Sequence, residues 1–227
     1  WAGPCGPVGR RNRVEDEAVD SGRLKRVAAD LAGDVRESLP KAPAEKNGKR
    51  IACIGAGCAS LTVANDLLPL GYEIVMFEQY AQTGGLMRTN IPAFRLPAEV
   101  LDDEIAMILE MGVDLRLGHR VDSLASLLDE DFDAVFVGTG APRGKELDLP
   151  GRQDSDRIHI GIDWLESVAC SHTDTIGENV LVIGGGNTAM DCCRYALRLG
   201  GQNDKGMECK PRGVGKASHG HAGAASD

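Results

Sequence analysis

Apolar positions along this chain switch repeatedly between two rhythms: short continuous runs bounded by glycine, and stripes at spacings of three and four. The first rhythm marks buried strands and the second marks helices with one covered face. Leu24, Val27, Ala28 and Leu31 form the first stripe and predict a helix from about Gly22 to Ala32. The stretch from Leu39 to Gly48 reads as a linker, because Pro40 and Pro43 stop a helix and Asn47-Gly48 favours a turn. Ile51 to Ile54 then predicts a strand, Ser60 to Leu70 a helix, and Tyr72 to Phe77 a second strand. Pro97 opens a longer helix whose face carries Val100, Leu101, Ile105, Ile108 and Leu109. A strand over Val113 to Leu117, a short helix over Leu124 to Leu128 and a strand over Ala134 to Val137 follow. After a connector with a helix near Ile162 to Ala169, the opening device returns. Val180 to Ile183 is a strand, Gly184 to Gly186 a turn, and Thr188 to Leu199 a helix. Past Gly200 the pattern stops, so residues 201–227 are expected to form a disordered tail.

Strand and helix patterns that alternate in this way predict an α/β fold with a largely parallel sheet and right-handed crossovers. Composition narrows the function. The 29 glycines among 227 residues follow no collagen-like period, so they point to turns and to close approach of backbone to a ligand. A net charge of −9 and few aromatics argue against a nucleic-acid binder. No apolar run is long enough for a membrane-spanning helix. The seven cysteines, Cys5, Cys53, Cys58, Cys170, Cys192, Cys193 and Cys209, show no disulfide spacing, and a reducing cytoplasm is the expected location. Cys192 and Cys193 are neighbours on one helix, about 100° apart, and read as packing thiols. No metal-ligand spacing is present, and His119, His159 and His172 read as surface residues.

The candidate chemistry lies in the glycine turns. Gly55-Ala56-Gly57-Cys58-Ala59-Ser60 sits between a strand and a helix, where glycines admit a diphosphate and the helix start offers free N–H groups. Ser60 is small enough for the third glycine position. Glu78 ends the next strand 21 residues after Gly57 (78 − 57), the spacing at which a carboxylate accepts from ribose hydroxyls. Gly84-Gly85-Leu86 reads either as a loop lying flat against a ring system or as an ordinary turn. Gly138-Thr139-Gly140 closes a strand at the sheet end where ligands bind. Gly184-Gly185-Gly186-Asn187-Thr188-Ala189 fills the same strand-turn-helix pattern 129 residues after the first (184 − 55). Two such cradles mean two dinucleotides or one duplicated fold. FAD and a nicotinamide nucleotide are the natural pair, with hydride passing from the nicotinamide to the flavin.

Taken in order, Ile54 to Gly57 with Ala59-Ser60, Phe77-Glu78, Gly84 to Leu86, Ile91 to Pro97, Gly138 to Gly140 and Gly184 to Asp191 resemble the glutamate synthase small (β) subunit family. The related N-terminal half of dihydropyrimidine dehydrogenase shares the series. The resemblance implies a Rossmann-like FAD-binding domain over residues 50–145. A connector and the start of a second Rossmann-like NAD(P)H-binding domain would follow over 146–200, and a short helical leader and linker would precede over 1–49. It implies that Gly57, Cys58, Ala59, Ser60, Glu78, Gly85, Leu86 and Arg95 line the FAD, and that Val121 meets the adenine through its backbone. Gly186, Asn187, Thr188 and Ala189 would hold the NADPH diphosphate. Electrons would run from NADPH, or NADH, through FAD to iron–sulfur clusters and a catalytic partner subunit or another acceptor.

The chain also departs from that family. Cys58 stands where proline is usual. In the leader segment Pro4 to Arg13, Gly9 replaces the second of two cysteines, and Cys5 alone cannot hold a four-cysteine cluster, so no iron–sulfur centre is expected. The pattern breaks off after Gly200, which suggests a truncated or frame-shifted chain. The rival reading is a non-catalytic nucleotide-binding remnant.

Overall fold

The computed structural model of the chain describes residues 19–146, 150–201 and, as backbone alone, 203–207. The described residues fall into two compact units, divided between Pro40 and Lys41. In the first unit, helix α1 spans Ser21–Asp30, close to the expected range. Asp20 caps it by accepting from the Arg23 amide at 3.2 Å, which satisfies one of the helix's unpaired donors. Its apolar stripe of Leu24, Val27 and Leu31 is exposed.

The second unit is built on four parallel strands: β1 (Arg50–Ile54), β2 (Glu73–Phe77), β3 (Asp114–Arg116) and β4 (Ala134–Val137). Their spatial order is β3-β2-β1-β4. The chain therefore steps outward from β1 on one side, to β2 and β3, and returns to add β4 on the other. Ligands bind at such a reversal, beyond the carboxyl end of the strand where it occurs. That strand is β1, and its carboxyl end runs into Gly55.

Alternation along the strands sorts the core into two layers. Ile51, Cys53, Ile74 and Met76 face Leu61, Ala64 and Leu68 of the helical segment after β1, and Leu101 and Ile105 of the long helix. Ala52, Val75 and Phe77 face the other way, onto Leu127 with Val121, Phe132 and Val135 around it. A central parallel strand covered on both faces has to be apolar throughout. This explains why Ile51 to Ile54 reads as an unbroken run.

Helix α2 spans Cys58–Leu67 and so starts two residues earlier than expected, because Gly57 already serves as its N-cap. Its last turn, Leu68–Leu70, tightens into a 3-10 turn around Pro69, which has no N–H to donate. Gly71, at φ 86°, then ends it. The short helix α3 (Leu86–Thr89) was not expected from periodicity, since four residues carry no stripe. Helix α4 spans Ala98–Leu109 behind Pro97. Leu101 and Ile105 are buried on it, but Val100, assigned to the same face, is 45% exposed. Its position is about 100° round the helix from Leu101, which turns it to solvent. Helix α5 (Leu124–Leu128) is capped by Ser123.

Helix α6 (Gly161–Ala169), strand β5 (Asn179–Ile183) and helix α7 (Asn187–Arg198) form a second, smaller layer around Trp164, Leu165, Cys192 and Ala196. One expectation needs correction here. Residues 203–207, placed in a disordered tail, form strand β6 (Asn203–Met207), parallel to β5 from Asn179↔Asn203 to Ile183↔Met207. Backbone pairing recruits this segment. It asks nothing of the side chains, so hydrophobic pattern does not reveal it. Residues 202 and 208–227 of that tail, the cluster-like leader Pro4 to Arg13 and its Cys5 lie outside the described residues. Among the described residues no helix is long and apolar enough to cross a membrane.

Candidate functional site

The first cradle forms where β1 ends. Gly55, at φ 93°, turns the chain so tightly that a Cβ there would lie 2.7 Å from the Gly138 carbonyl oxygen. Only glycine fits both the angle and the space. Gly57 and Gly85 lie back to back, a Cβ on Gly85 falling 3.1 Å from the Gly57 Cα. The Gly84 amide donates to the Ala56 carbonyl at 2.9 Å, so the two glycine loops are laced together. Gly84-Gly85-Leu86 is thus a wall of the cradle as well as a turn, and Gly85 caps α3. A third glycine segment closes the set: a Cβ on Gly138 would lie 2.3 Å from the Ser60 Oγ. Gly140, two residues further on, is exposed at φ 70°.

Glu78 holds this arrangement from beneath. It is 5% exposed, and its Oε2 accepts from the Ala56 amide at 2.7 Å while Oε1 accepts from the Tyr80 amide at 3.0 Å. An ionised carboxylate has about four acceptor positions, so two remain for ligand hydroxyls. The Glu78 carbonyl accepts from the His119 amide at 2.8 Å, and the His119 ring lies 5.0 Å from Phe77. These contacts draw the segment containing Val121, itself half-buried against Phe77, toward the end of β2.

Among the described α-helices only α1 and α5 have a side-chain cap, from Asp20 and Ser123. Helices α2, α3, α4, α6 and α7 have none. Of these, α2 at Gly57 and α7 at Gly186 are the two that start at a glycine turn directly after a strand. Cys58, Ala59, Asn187 and Thr188 in these first turns are exposed. Uncapped N–H groups facing solvent at a positive dipole end are what an anionic group requires. In the second cradle Gly184 has φ 152°, and a Cβ there would approach the Ala189 Cβ to 3.1 Å, so the small third residue is needed for helix and strand to meet.

Arg95, expected beside the flavin, forms an ion pair with Asp191 on α7, whose side chain is 6% exposed. Periodicity does not single out Asp191. Its one signal is a charged residue among Ala189, Cys192, Cys193 and Ala196, the buried positions of that helix. Arg88 also went unrecognised: its Nε donates to the Thr83 carbonyl at 2.6 Å and its guanidinium pairs with Asp102. Both contacts brace the Gly84-Gly85 loop. Cys192 packs as a thiol should, with Sγ 3.6 Å from the Gly161 carbonyl and burial pushing it up to about 12. Among the described residues no cluster of His, Cys, Asp and Glu could hold a metal ion.

Known proteins agree with this geometry. A family model described as pyridine nucleotide-disulphide oxidoreductase matches residues 49–216. The chain is 36% identical over 205 residues to the NADPH-Fe(3+) oxidoreductase subunit beta of Geobacter sulfurreducens, covering 88% of this chain and 30% of that one. It is 32% identical over 197 residues to the glutamate synthase [NADPH] small chain of Bacillus subtilis, covering 82% and 40%. The resemblance drawn from the glycine motifs therefore extends over most of the sequence. The solved structure of Mycobacterium tuberculosis FprA in complex with NADPH shares the fold, with a TM-score of 0.57 at 23% identity over 64% of this chain and 36% of that one. The chain spans less than half the length of both curated relatives. With the family match running from the start of β1 past β6, this chain belongs to the pyridine nucleotide-disulphide oxidoreductase family.

Proposed function

We propose that the second unit is the nucleotide-handling part of an NAD(P)H-dependent flavin oxidoreductase of the glutamate synthase small-subunit type. FAD would occupy the first cradle and NADPH or NADH the second. The observation that carries this reading is the pair of strand–glycine turn–helix junctions, β1 to α2 and β5 to α7. Their helix starts have no side-chain cap, and the first has a buried carboxylate beneath it. The glycine loops can pack this closely only without side chains, since a Cβ at Gly55 would collide with the Gly138 carbonyl oxygen and one at Gly85 would crowd the Gly57 Cα.

Amides from Gly55 to Ser60 would hold the FAD diphosphate, and Glu78 would take the ribose hydroxyls. Gly84, Gly85, Leu86 and Gly140 would border the ring system, and the Val121 backbone would meet the adenine. Gly184 and Gly186 to Ala189 would hold the second diphosphate. Bound FAD supplies hydride acceptance from the nicotinamide and onward electron transfer. The chain's own part is to bind, to orient and to keep water from the meeting point.

The relatives named as a small chain and as a subunit beta support an electron-accepting partner subunit. Cys53, Cys58, Cys170 and Cys192, which form no disulfide among the described residues, suit a reducing cytoplasm. One observation favours the remnant reading: Leu181 and Ile183 of β5 are 59% and 44% exposed, so that face of the small sheet is uncovered among the described residues.

The test is to equilibrate the purified chain with FAD, remove the excess and record the visible spectrum, then add NADPH or NADH without oxygen. Retained flavin that is bleached by one donor supports the proposal and names the donor. Retained flavin that neither donor bleaches supports the remnant, and failure to retain flavin refutes the FAD assignment.

A further inference from the structure

The loop over residues 90–97 leaves the first cradle and is fastened to the second layer at three points. The Asn90 side-chain amide donates to the Ile162 carbonyl of α6 at 2.6 Å. Two guanidiniums of α7 lie over the Phe94 ring, Arg194 at 4.3 Å and Arg198 at 4.0 Å, and the ring meets Tyr195 edge-on at 5.3 Å. Next to Phe94, Arg95 pairs with Asp191. A solvated ion pair contributes little, but here the Asp191 side chain is 6% exposed and the Arg95 side chain 30%. Removing the cation would leave a buried carboxylate without compensation.

The placement matters more than the number of contacts. Asp191 stands five residues after Gly186, the cap of the second cradle. At its other end the loop begins at Asn90, the C-cap of α3, and α3 begins at Gly85, which lies against Gly57. An unbroken line of packed groups thus runs from the first cradle through α3 and the loop to Asp191 and the start of α7. We infer that Asp191 is a positioning residue. Through Arg95 it sets the direction of the α7 N-terminus relative to the first glycine loop and couples the two nucleotide sites. The coupling of loop and helix stands on the geometry, whereas its effect on electron transfer rests on the proposed function.

Hydrogen–deuterium exchange on the intact chain tests the coupling without any cofactor. Asp191→Asn, Arg95→Met and the double variant are compared with the parent. The expected result is faster exchange, by about tenfold or more, in residues 90–97 and in the hydrogen-bonded amides 190–194 of α7, with residues 51–54 and 74–77 unchanged. The double variant should exchange no faster than Arg95→Met, because neutralising Asp191 removes the uncompensated charge. Unchanged exchange in the loop for Asp191→Asn, or single effects that add in full, would overturn the inference.

A second readout uses FAD-loaded protein. Asp191→Asn should keep FAD affinity within about threefold and lower the flavin reduction rate at saturating NADPH about tenfold, with Asp191→Glu restoring part of it. An equal loss of FAD affinity and rate would mean a merely structural role and overturn the positioning assignment. If the parent chain binds no nucleotide, the proposed function fails, and the exchange experiment alone then decides the coupling.

Discussion

Replacing Glu78 tests the foundation of the first cradle. Its carboxylate accepts two backbone amides, from Ala56 at 2.7 Å and Tyr80 at 3.0 Å. A hydrogen bond to a charged group is worth ~1.5–3 kcal/mol, so Glu78→Ala forfeits about 3–6 kcal/mol before compensation. Water can reach the exposed Tyr80, but Ala56 is 0% exposed and its amide stays unsatisfied. The net loss expected is about 2–4 kcal/mol, a large part of the ~5–15 kcal/mol that holds a domain together. Glu78→Gln keeps one carbonyl oxygen and turns an amide donor toward the other N–H, so roughly half of that loss is expected. Urea denaturation of the cofactor-free chain, followed by far-ultraviolet circular dichroism, measures both variants. A loss below about 0.5 kcal/mol for Glu78→Ala would show that the carboxylate does not hold the turn, and the account of the cradle would fall with it.

Four further outcomes are expected. Gly85→Ala forces φ 52° and ψ −136° on a residue with a Cβ, which would lie 3.1 Å from the Gly57 Cα. It should destabilise the chain by ~1–3 kcal/mol and weaken FAD retention, and a variant that matches the parent in both measurements contradicts the packed-loop geometry. The Ser60 hydroxyl is buried with no partner among the described residues, so Ser60→Ala should leave stability unchanged or raise it by up to ~1 kcal/mol, and a clear loss in the same denaturation assay would reveal a hidden partner. Burial lifts Cys53 from 9.0 to about 11 and Cys192 to about 12. Above pH 9 the unfolded thiols give up protons that the folded ones keep, so stability should fall as pH rises from about 9 toward 11–12. At pH 8 iodoacetamide should label exposed Cys58 and Cys170 first, and equal labelling of Cys53 by mass spectrometry would refute its burial.

Much of the fold was legible because a buried parallel strand has little choice of residues. Ile51 to Ile54 reads as a strand, and is one, because both faces of the sheet are covered at β1. Ala134 to Val137 reads as a strand from its apolar run although it forms the sheet edge, with Ala134 and Val137 exposed. Gly55 marked the cradle because no other residue tolerates its φ of 93° together with its approach to the Gly138 carbonyl. The same logic failed for β6, whose main-chain pairing leaves no mark on side-chain pattern. It failed also for Val100, where one position of helical phase decides between core and solvent.

By itself the sequence determined the local chemistry: which segments extend, where the chain must turn, and that Glu78 ends β2 at the spacing a ribose-binding acid requires. Only the tertiary structure decided what those residues meet. Glu78 reaches the Ala56 amide across 22 positions, and Arg95 finds Asp191 across 96. Such pairings depend on how strands and helices stack. That stacking comes from the summed burial of many apolar groups, and no single spacing along the chain records it.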